Sequence, residues 1–274
     1  MVSIRNKRVL ITGAAGSIGG ELVRHLHRQN KIYGLDINES GLADLISDYK
    51  IWGRVGDIRN ERTVSDIFSD FQPQIVFHAA AYKRVETMEY VPEEAIATNV
   101  NGTQNVLHYS KVYPVEKFVF ISSDKAVNPT SIMGSTKALG EKLTKNSGKG
   151  YIVVRFGNVL GSQGSLTQIW QKQIDRGEPI AVTDSRMERY FMTPEQAINL
   201  VIKASKIGIG GEIICWEMGK KVNIYELAKK IISELGQGEI KIIGIRPGET
   251  LTEEIMTEEE RKRAIKKGEF WIIK

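Results

Sequence analysis

Val9-Leu10-Ile11-Thr12-Gly13-Ala14-Ala15-Gly16-Ser17-Ile18-Gly19 sets three glycines between an apolar, β-branched run and a helical pattern. The run before it reads as a strand over Arg8–Thr12. After it, Ile18, Leu22 and Leu26 recur at four-residue spacing and mark one helix face. Gly13 permits the tight turn between the two elements. Gly16 lets the backbone approach a pyrophosphate, and Gly19 lets the helix lie close to the strand. Free amides at the helix start, together with the helix dipole, favour negative charge there. Ser17 and Ile18, the first helical residues, are candidate cofactor contacts.

Working outward, short β-branched runs alternate with helical segments. Strands are expected at Lys31–Leu35, Ile51–Val55, Gln74–His78, Lys117–Ser122 and Tyr151–Phe156. Helices are expected at Glu61–Phe71, over Pro92–Ser110 and from about Ile132. This alternation implies an α/β fold: a Rossmann-type, doubly wound parallel sheet with helices on both faces. After Gly157 the rhythm changes. Helices are expected at Pro194–Lys206, Asn223–Leu235 and Thr257–Lys267, and strands at Ile213–Trp216, Ile240–Ile243 and Phe270–Ile273. The division expected is a cofactor-binding core over residues 1–157 and a mainly substrate-binding lobe over 158–274. The lobe should lie at the carboxyl ends of the strands, with some segments returning to the core.

Asp36 ends the second strand. It should accept hydrogen bonds from the adenosine ribose hydroxyls and repel a 2′-phosphate, and no Arg or Lys follows in Ile37-Asn38-Glu39-Ser40. That favours NAD over NADP; the plainer alternative is a turn or N-cap residue. Asp57, beside Ile58, ends the third strand and either reaches the adenine or caps the helix starting near Glu61.

A 274-residue chain with 41% hydrophobic and 26% charged residues can build a sizeable core. The net charge of +5 is spread along the chain, which argues against a nucleic-acid partner and suits an anionic substrate. The single cysteine, Cys215, excludes an internal disulfide, points to a reducing compartment, and reads as a small buried apolar residue. No stretch reaches the roughly 18 apolar residues of a membrane span. No signal peptide is visible, so a cytoplasmic location is expected, and no metal site is expected.

The Gly-x-x-Gly-x-x-Gly spacing resembles the extended short-chain dehydrogenase/reductase superfamily. Further motifs resemble its polysaccharide-biosynthesis nucleotide-sugar 4,6-dehydratases, of the UDP-N-acetylglucosamine type. They are His78-Ala79-Ala80-Ala81-Tyr82-Lys83, Asn99-Val100-Asn101-Gly102-Thr103, Ser122-Ser123-Asp124-Lys125-Ala126-Val127-Asn128-Pro129, Arg155-Phe156-Gly157-Asn158-Val159-Leu160-Gly161-Ser162, Arg189-Tyr190-Phe191-Met192-Thr193 and Arg246-Pro247-Gly248-Glu249. They follow the family's order from residue 8 to about 256. Arg84-Val85-Glu86-Thr87 departs from the family's usual His-Val-Pro at that point, and no N-terminal membrane region like that of many relatives is expected.

The resemblance implies a Tyr-x-x-x-Lys pair after the fifth strand. Here that frame reads Met133-Gly134-Ser135-Thr136-Lys137. A thioether cannot exchange a proton at neutral pH, so Met133 is expected to pack, and another group must act as base. Lys137 would hold the nicotinamide ribose; its bland alternative is a solvated helix lysine. Asp124 and Lys125 would divide acid and base work, with Lys125 taking the C5 proton and Asp124 protonating the departing C6 hydroxyl. Ser122 and Ser123 are candidate donors to the C4 oxygen. Read without the resemblance, Asp124-Lys125 is as easily a surface-loop pair.

Ala79 and Ala81 are expected against the cofactor, and Lys83 against the sugar or the ribose. Asn99 resembles the family's helix-kink asparagine, a structural role beside a possible cofactor contact. Asn158 and Ser162 should face the nucleotide. Arg189 and Arg246 are candidates for the UDP pyrophosphate, each with a solvated-surface alternative. Glu249 either binds a ribose hydroxyl or caps a following helix. The function expected is NAD-dependent dehydration of a UDP-linked N-acetylhexosamine, UDP-N-acetylglucosamine first. A UDP-sugar 4-epimerase would share the fold and the hydride removal but normally keeps the Tyr. A non-catalytic NAD-binding sensor would rest on Met133 alone. The helices over Pro92–Ser110 and Ile132–Ser147 resemble the superfamily's dimer-forming pair, so a homo-oligomer is expected.

Overall fold

The computed structural model describes residues 4–235 and 238–274. In chain order the first half runs β1 (Arg8–Thr12), α1 (Ser17–Leu26), β2 (Lys31–Asp36), α2 (Glu39–Tyr49), β3 (Trp52–Val55), α3 (Glu61–Phe71), β4 (Ile75–His78), α4 (Val85–Tyr90), α5 (Pro92–Ile96), α6 (Thr103–Val112), β5 (Lys117–Ile121) and α7 (Ile132–Lys145). The second half runs β6 (Tyr151–Arg155), β7 (Asn158–Val159), α8 (Leu166–Asp175), β8 (Ile180–Val182), β9 (Glu188–Arg189), β10 (Phe191–Met192), α9 (Pro194–Ile207), β11 (Glu212–Trp216), β12 (Val222–Asn223), α10 (Ile224–Leu235), β13 (Ile240–Ile242), α11 (Glu258–Arg263), β14 (Ala264–Lys267) and β15 (Phe270–Ile273).

Nine strands form one sheet in the order β14-β15-β11-β6-β5-β4-β1-β2-β3. The pairs from β11 to β3 are parallel. Strands β4, β5 and β6 are buried along their whole length, because helices cover both faces of the sheet. One face packs on Leu22, Leu42 and Ile198; the other packs on Phe68, Val106 and Leu107. The strand order reverses between β4 and β1. A crevice opens at that switch, at the strands' carboxyl ends, where ligands bind in such sheets. A separate apolar cluster around Trp170, Ile180, Val182 and Ile224 holds β8, α8 and α10 together.

Three expectations need correction. The helix expected over Thr257–Lys267 stops at Arg263, and Ala264–Lys267 becomes β14, antiparallel to β15 across Gly268 (φ 62°). Only Ile265 in Ala264-Ile265-Lys266-Lys267 favours a strand; the free edge of β15 recruits the segment, and its lysines suit an exposed edge. The helix expected over Pro92–Ser110 is interrupted by a π turn at Ala97–Gly102. Helices α2, α4 and α8 lie outside the expected set; α2 is capped by Asn38. Among the described residues no helix is long and apolar enough to cross a membrane.

Candidate active site

The crevice is lined by the glycine turn, the ends of β2 and β3, and the Ala79–Tyr82 segment after β4. Gly13 has φ 69°, and a Cβ there would lie 2.6 Å from the Ala80 nitrogen. A Cβ on Gly19 would collide with the Gly13 carbonyl oxygen. Both glycines are therefore required by close backbone approach. Gly16 is different: its nearest neighbour would be the Gly13 oxygen at 3.2 Å, and it borders the crevice. It also begins α1 with no side-chain cap and no acid in the first turn, so the helix amides are left for a ligand. A side chain here would fill the cradle a pyrophosphate needs. Ser17 accepts a hydrogen bond from the Gln163 amide (2.9 Å), which draws the segment after β7 onto the crevice, while Ile18 packs into the core.

Asp36 accepts from the amides of Ala15 (2.8 Å) and Asn38 (2.9 Å) and borders the crevice. Its carboxylate thus holds the glycine turn itself, and the cap of α2 is Asn38 instead. Asp57 does not cap α3 either, since Asn60 does so through the Thr63 amide. Asp57 is held by Arg59 (2.6 Å) on the crevice wall beside buried Ile58.

The turn after β5 is not a surface loop. Asp124 is fully buried. Its Oδ1 accepts from the Ser123 hydroxyl (2.9 Å) and from Lys125 Nζ (3.0 Å), whereas its Oδ2 is buried without a hydrogen-bond partner. Such an orphan acceptor is costly unless something else supplies a donor. Ser122 turns away from the crevice. Its hydroxyl donates to buried Glu141 (2.6 Å), so that proton is committed to the core, whereas the Ser123 proton goes to Asp124 within the turn itself. Gly134 explains the close seat of α7, because a Cβ there would strike the Lys125 carbonyl.

Met133 is 2% exposed and packs with Met88 and Ala95. Lys137, one turn on, is buried rather than solvated. Its Nζ donates to the Ile121 carbonyl (2.8 Å) and lies 4.9 Å above the Phe120 ring. Burial brings its pKa down to about 8, with Glu141 opposing the shift. Asn99 sits in the π turn. Its side chain bonds both backbone groups of Tyr82 (2.8 and 2.9 Å) and donates to Thr136 (2.9 Å). All its amide capacity on view is structural: it pins the Tyr82 wall of the crevice to α7. His78 bridges Thr12 (2.6 Å) and Thr103 (2.9 Å). Burial, aided by the charge of Lys137, lowers its pKa to about 3, so it is a neutral strut.

The lobe residues divide. Arg189 is buried and spends its terminal nitrogens on the carbonyls of Glu188, Leu251 and Thr250 (2.8–3.2 Å). It anchors the Thr250–Glu253 segment. Arg246 remains half-exposed and pairs with Glu86 (3.1 Å). Glu249 precedes no helix; it accepts from the Arg246 amide (3.1 Å) and closes that turn. Asn158 donates to the Tyr190 carbonyl (3.2 Å), and Ser162 turns the chain toward the crevice. Ala79 and Ala81 border the crevice. Burial, then the Arg84 charge, lowers the pKa of Lys83.

Sequence reasoning missed four residues. Thr98 lines the crevice with a buried hydroxyl that lacks a partner. Gln163 borders the crevice, Glu141 braces Ser122, and Glu253 lies 3.8 Å from Lys125 and 3.9 Å from Arg189. Glu253 is separated from Lys125 by more than a hundred residues, and no local pattern joins them. The i+4 spacing of Lys137 and Glu141 was the one legible signal.

The family described as polysaccharide biosynthesis protein matches residues 9–274. The capsular polysaccharide biosynthesis protein CapD of Staphylococcus aureus is 41% identical over 94% of this chain. The chain spans only 46% of CapD's length. A UDP-glucose 4-epimerase of Rickettsia bellii is 32% identical over 98% of the chain and 83% of its own length. Among solved structures, Pen from Bacillus thuringiensis superposes with a TM-score of 0.94 at 34% identity, covering 99% of this chain and 90% of that one.

Proposed function

Because the chain belongs to the polysaccharide biosynthesis protein family, within the nucleotide-sugar-modifying short-chain dehydrogenases/reductases, we propose that it is an NAD-dependent 4,6-dehydratase of a UDP-linked N-acetylhexosamine, with UDP-N-acetylglucosamine the first substrate to try. The observation that carries this reading is the Asp124–Lys125 pair. Its 3.0 Å contact sits at the end of β5, and the neighbouring helix offers Met133 where a tyrosine would otherwise move the proton. An epimerase needs no elimination pair; a dehydratase does.

The crevice fits NAD. Gly16 and the uncapped start of α1 would take the pyrophosphate, Asp36 the adenosine ribose hydroxyls, and Asp57 with Ile58 the adenine. Thr98 has a free hydroxyl for the cofactor, and Lys137 and Lys83 would reach for the nicotinamide ribose. When bound, NAD supplies a hydride acceptor for C4 of the sugar and returns that hydride to C6. The chain's own groups handle the protons. Ser123 would turn its hydroxyl from Asp124 to the C4 oxygen, and the proton that the C4 hydroxyl loses on oxidation would pass to solvent. Lys125 removes the C5 proton, made acidic by the C4 ketone. Asp124 gives a proton to the departing C6 hydroxyl, and its unpartnered Oδ2 is the oxygen left for that contact. Arg246, Glu249, Asn158 and Ser162 would hold the UDP moiety, and Arg189 would support them from behind. The exposed apolar residues Tyr90, Ile96 and Leu139 around α5 and α7 suit pairing with a second copy.

Incubation with NAD and UDP-N-acetylglucosamine, followed by mass spectrometry, tests the reading. Loss of one water is expected. An unchanged mass with inverted C4 would replace it with the epimerase reading, which the Rickettsia bellii relative favours. No reaction with any UDP-hexosamine would leave a cofactor-binding sensor.

A further inference from the structure

Glu253 is a buried acid beside Lys125 that the scheme above does not use. It lies in the segment after β13 and is 8% exposed. Its Oε1 is 3.8 Å from Lys125 Nζ and 3.9 Å from Arg189 Nη2. It also lines, with Lys125, Asn128 and Ser131, a second cavity beside the Asp124–Lys125 turn. Lys125 therefore stands between two carboxyl groups, one from the sheet core and one from the lobe.

This matters for how the pair starts its work. In the resting ion pair Lys125 is an ammonium and Asp124 a carboxylate, and neither can act in elimination. A proton must first cross the 3.0 Å contact from Lys125 to Asp124. Neutral Lys125 then takes the C5 proton, and neutral Asp124 gives its proton to the C6 hydroxyl, which leaves as water. Elimination leaves Lys125 as ammonium and Asp124 as carboxylate; Lys125 returns its proton to C5 as the hydride reaches C6, and the proton released when the C4 hydroxyl is oxidised, passed through solvent, recharges Lys125. A negative charge beside Lys125 opposes the first step, because it favours the ammonium.

We propose that Glu253 is a positioning residue for Lys125, whose own charge sets how readily the Asp124–Lys125 proton shifts to the working arrangement. The proposal rests on the dehydratase reading. As a carboxylate, Glu253 holds the Lys125 ammonium toward the lobe; as a neutral acid, it releases it to Asp124. The charged groups facing Glu253 are Lys125 and Asp124 from the core and Arg189 from β9. Burial raises its pKa above the ordinary glutamate value, Lys125 and Arg189 oppose that, and Asp124 adds to it.

The test compares wild type with Glu253→Gln, which is permanently neutral and of equal size, and with Glu253→Asp. The kcat and KM for UDP-N-acetylglucosamine are measured from acid to alkaline pH. Wild type is expected to lose kcat as Glu253 ionises, at a pH above the ordinary glutamate range. Glu253→Gln should lose that limb with KM unchanged, and Glu253→Asp should restore a limb. A Gln variant with the wild-type profile shape, scaled at all pH values, overturns the proposal and leaves a packing role. Thermal unfolding of the same proteins needs no turnover. An acid whose folded pKa is raised costs stability as pH rises through that value, so the melting temperature of Glu253→Gln should gain on wild type over that interval. A constant gap also overturns the proposal. An inert wild type with a widening gap defeats the dehydratase reading, and this role with it, while identifying Glu253 as the buried titrating acid.

Discussion

Arg155→Met should cost this protein about 3–5 kcal/mol, the usual consequence of removing one partner from a buried ion pair. Arg155 ends β6, is 2% exposed, and holds two carboxylates at once. It donates to Glu141 of α7 at 2.9 and 2.6 Å, to Glu260 of α11 at 2.8 and 3.1 Å, and to the Ile255 carbonyl at 3.0 Å. The side chains of Glu141 and Glu260 are only 7% and 11% exposed, so neither regains full hydration when the guanidinium goes. The upper part of the range is expected because two acids lose their cation together. Adding Glu141→Gln, which neutralises the more buried one, should return part of the loss. Urea unfolding followed by tryptophan fluorescence and by circular dichroism measures it, and coincident transitions would license a two-state value. The pH dependence gives a second check. Burial alone would raise the Glu260 pKa, but the hydrogen bond and charge of Arg155 outweigh it and hold it below the usual value. An acid depressed in this way contributes stability above its unfolded pKa and loses it as pH falls through the folded one. In Arg155→Met burial is left to raise that pKa, so this acid-side loss should disappear and the stability gap to wild type should narrow as pH falls. A cost under about 1 kcal/mol, within the range of a surface pair, would refute the view that this cluster ties α11 and α7 to the sheet.

Asp36→Ala should weaken NAD binding and lower the ratio of NAD to NADP affinity in calorimetry; tighter NADP binding by wild type would defeat the reading of β2. Met133→Leu keeps the volume of a buried apolar contact, so it should cost under roughly 1.5 kcal/mol and leave most of the activity. A large loss of turnover with the fold intact would mean that the sulfur does more than pack. Lys125→Ala should still bind NAD and sugar nucleotide, while dehydration falls by about a hundredfold or more, the scale of general-base removal. Wild type turning over in heavy water should carry deuterium at C5, and near-normal dehydration by Lys125→Ala would leave Asp124 as the leading base.

Local chemistry made much of this protein legible in advance. The demand for glycine at Gly13 and Gly19, the acid at the end of β2, and the alternation that builds a parallel sheet all arise from residues close together in the chain. Backbone geometry and side-chain period act over a few residues, so a sequence displays them directly. The Met133–Lys137 spacing was readable for the same reason. The strand at Ala264–Lys267 was not, because the open edge of β15 decides it against the residues' own preference. The inward turn of Ser122 toward Glu141, the anchoring of Arg189 on the Thr250 and Leu251 carbonyls, and the approach of Glu253 to Lys125 were equally hidden. Each depends on which polar groups meet once the apolar surfaces have packed. Burial then decides what those groups can be: a lysine whose charge is opposed, a neutral histidine, an acid without a water shell. Electrostatics of that kind belongs to three-dimensional neighbours, and only the folded chain brings them together.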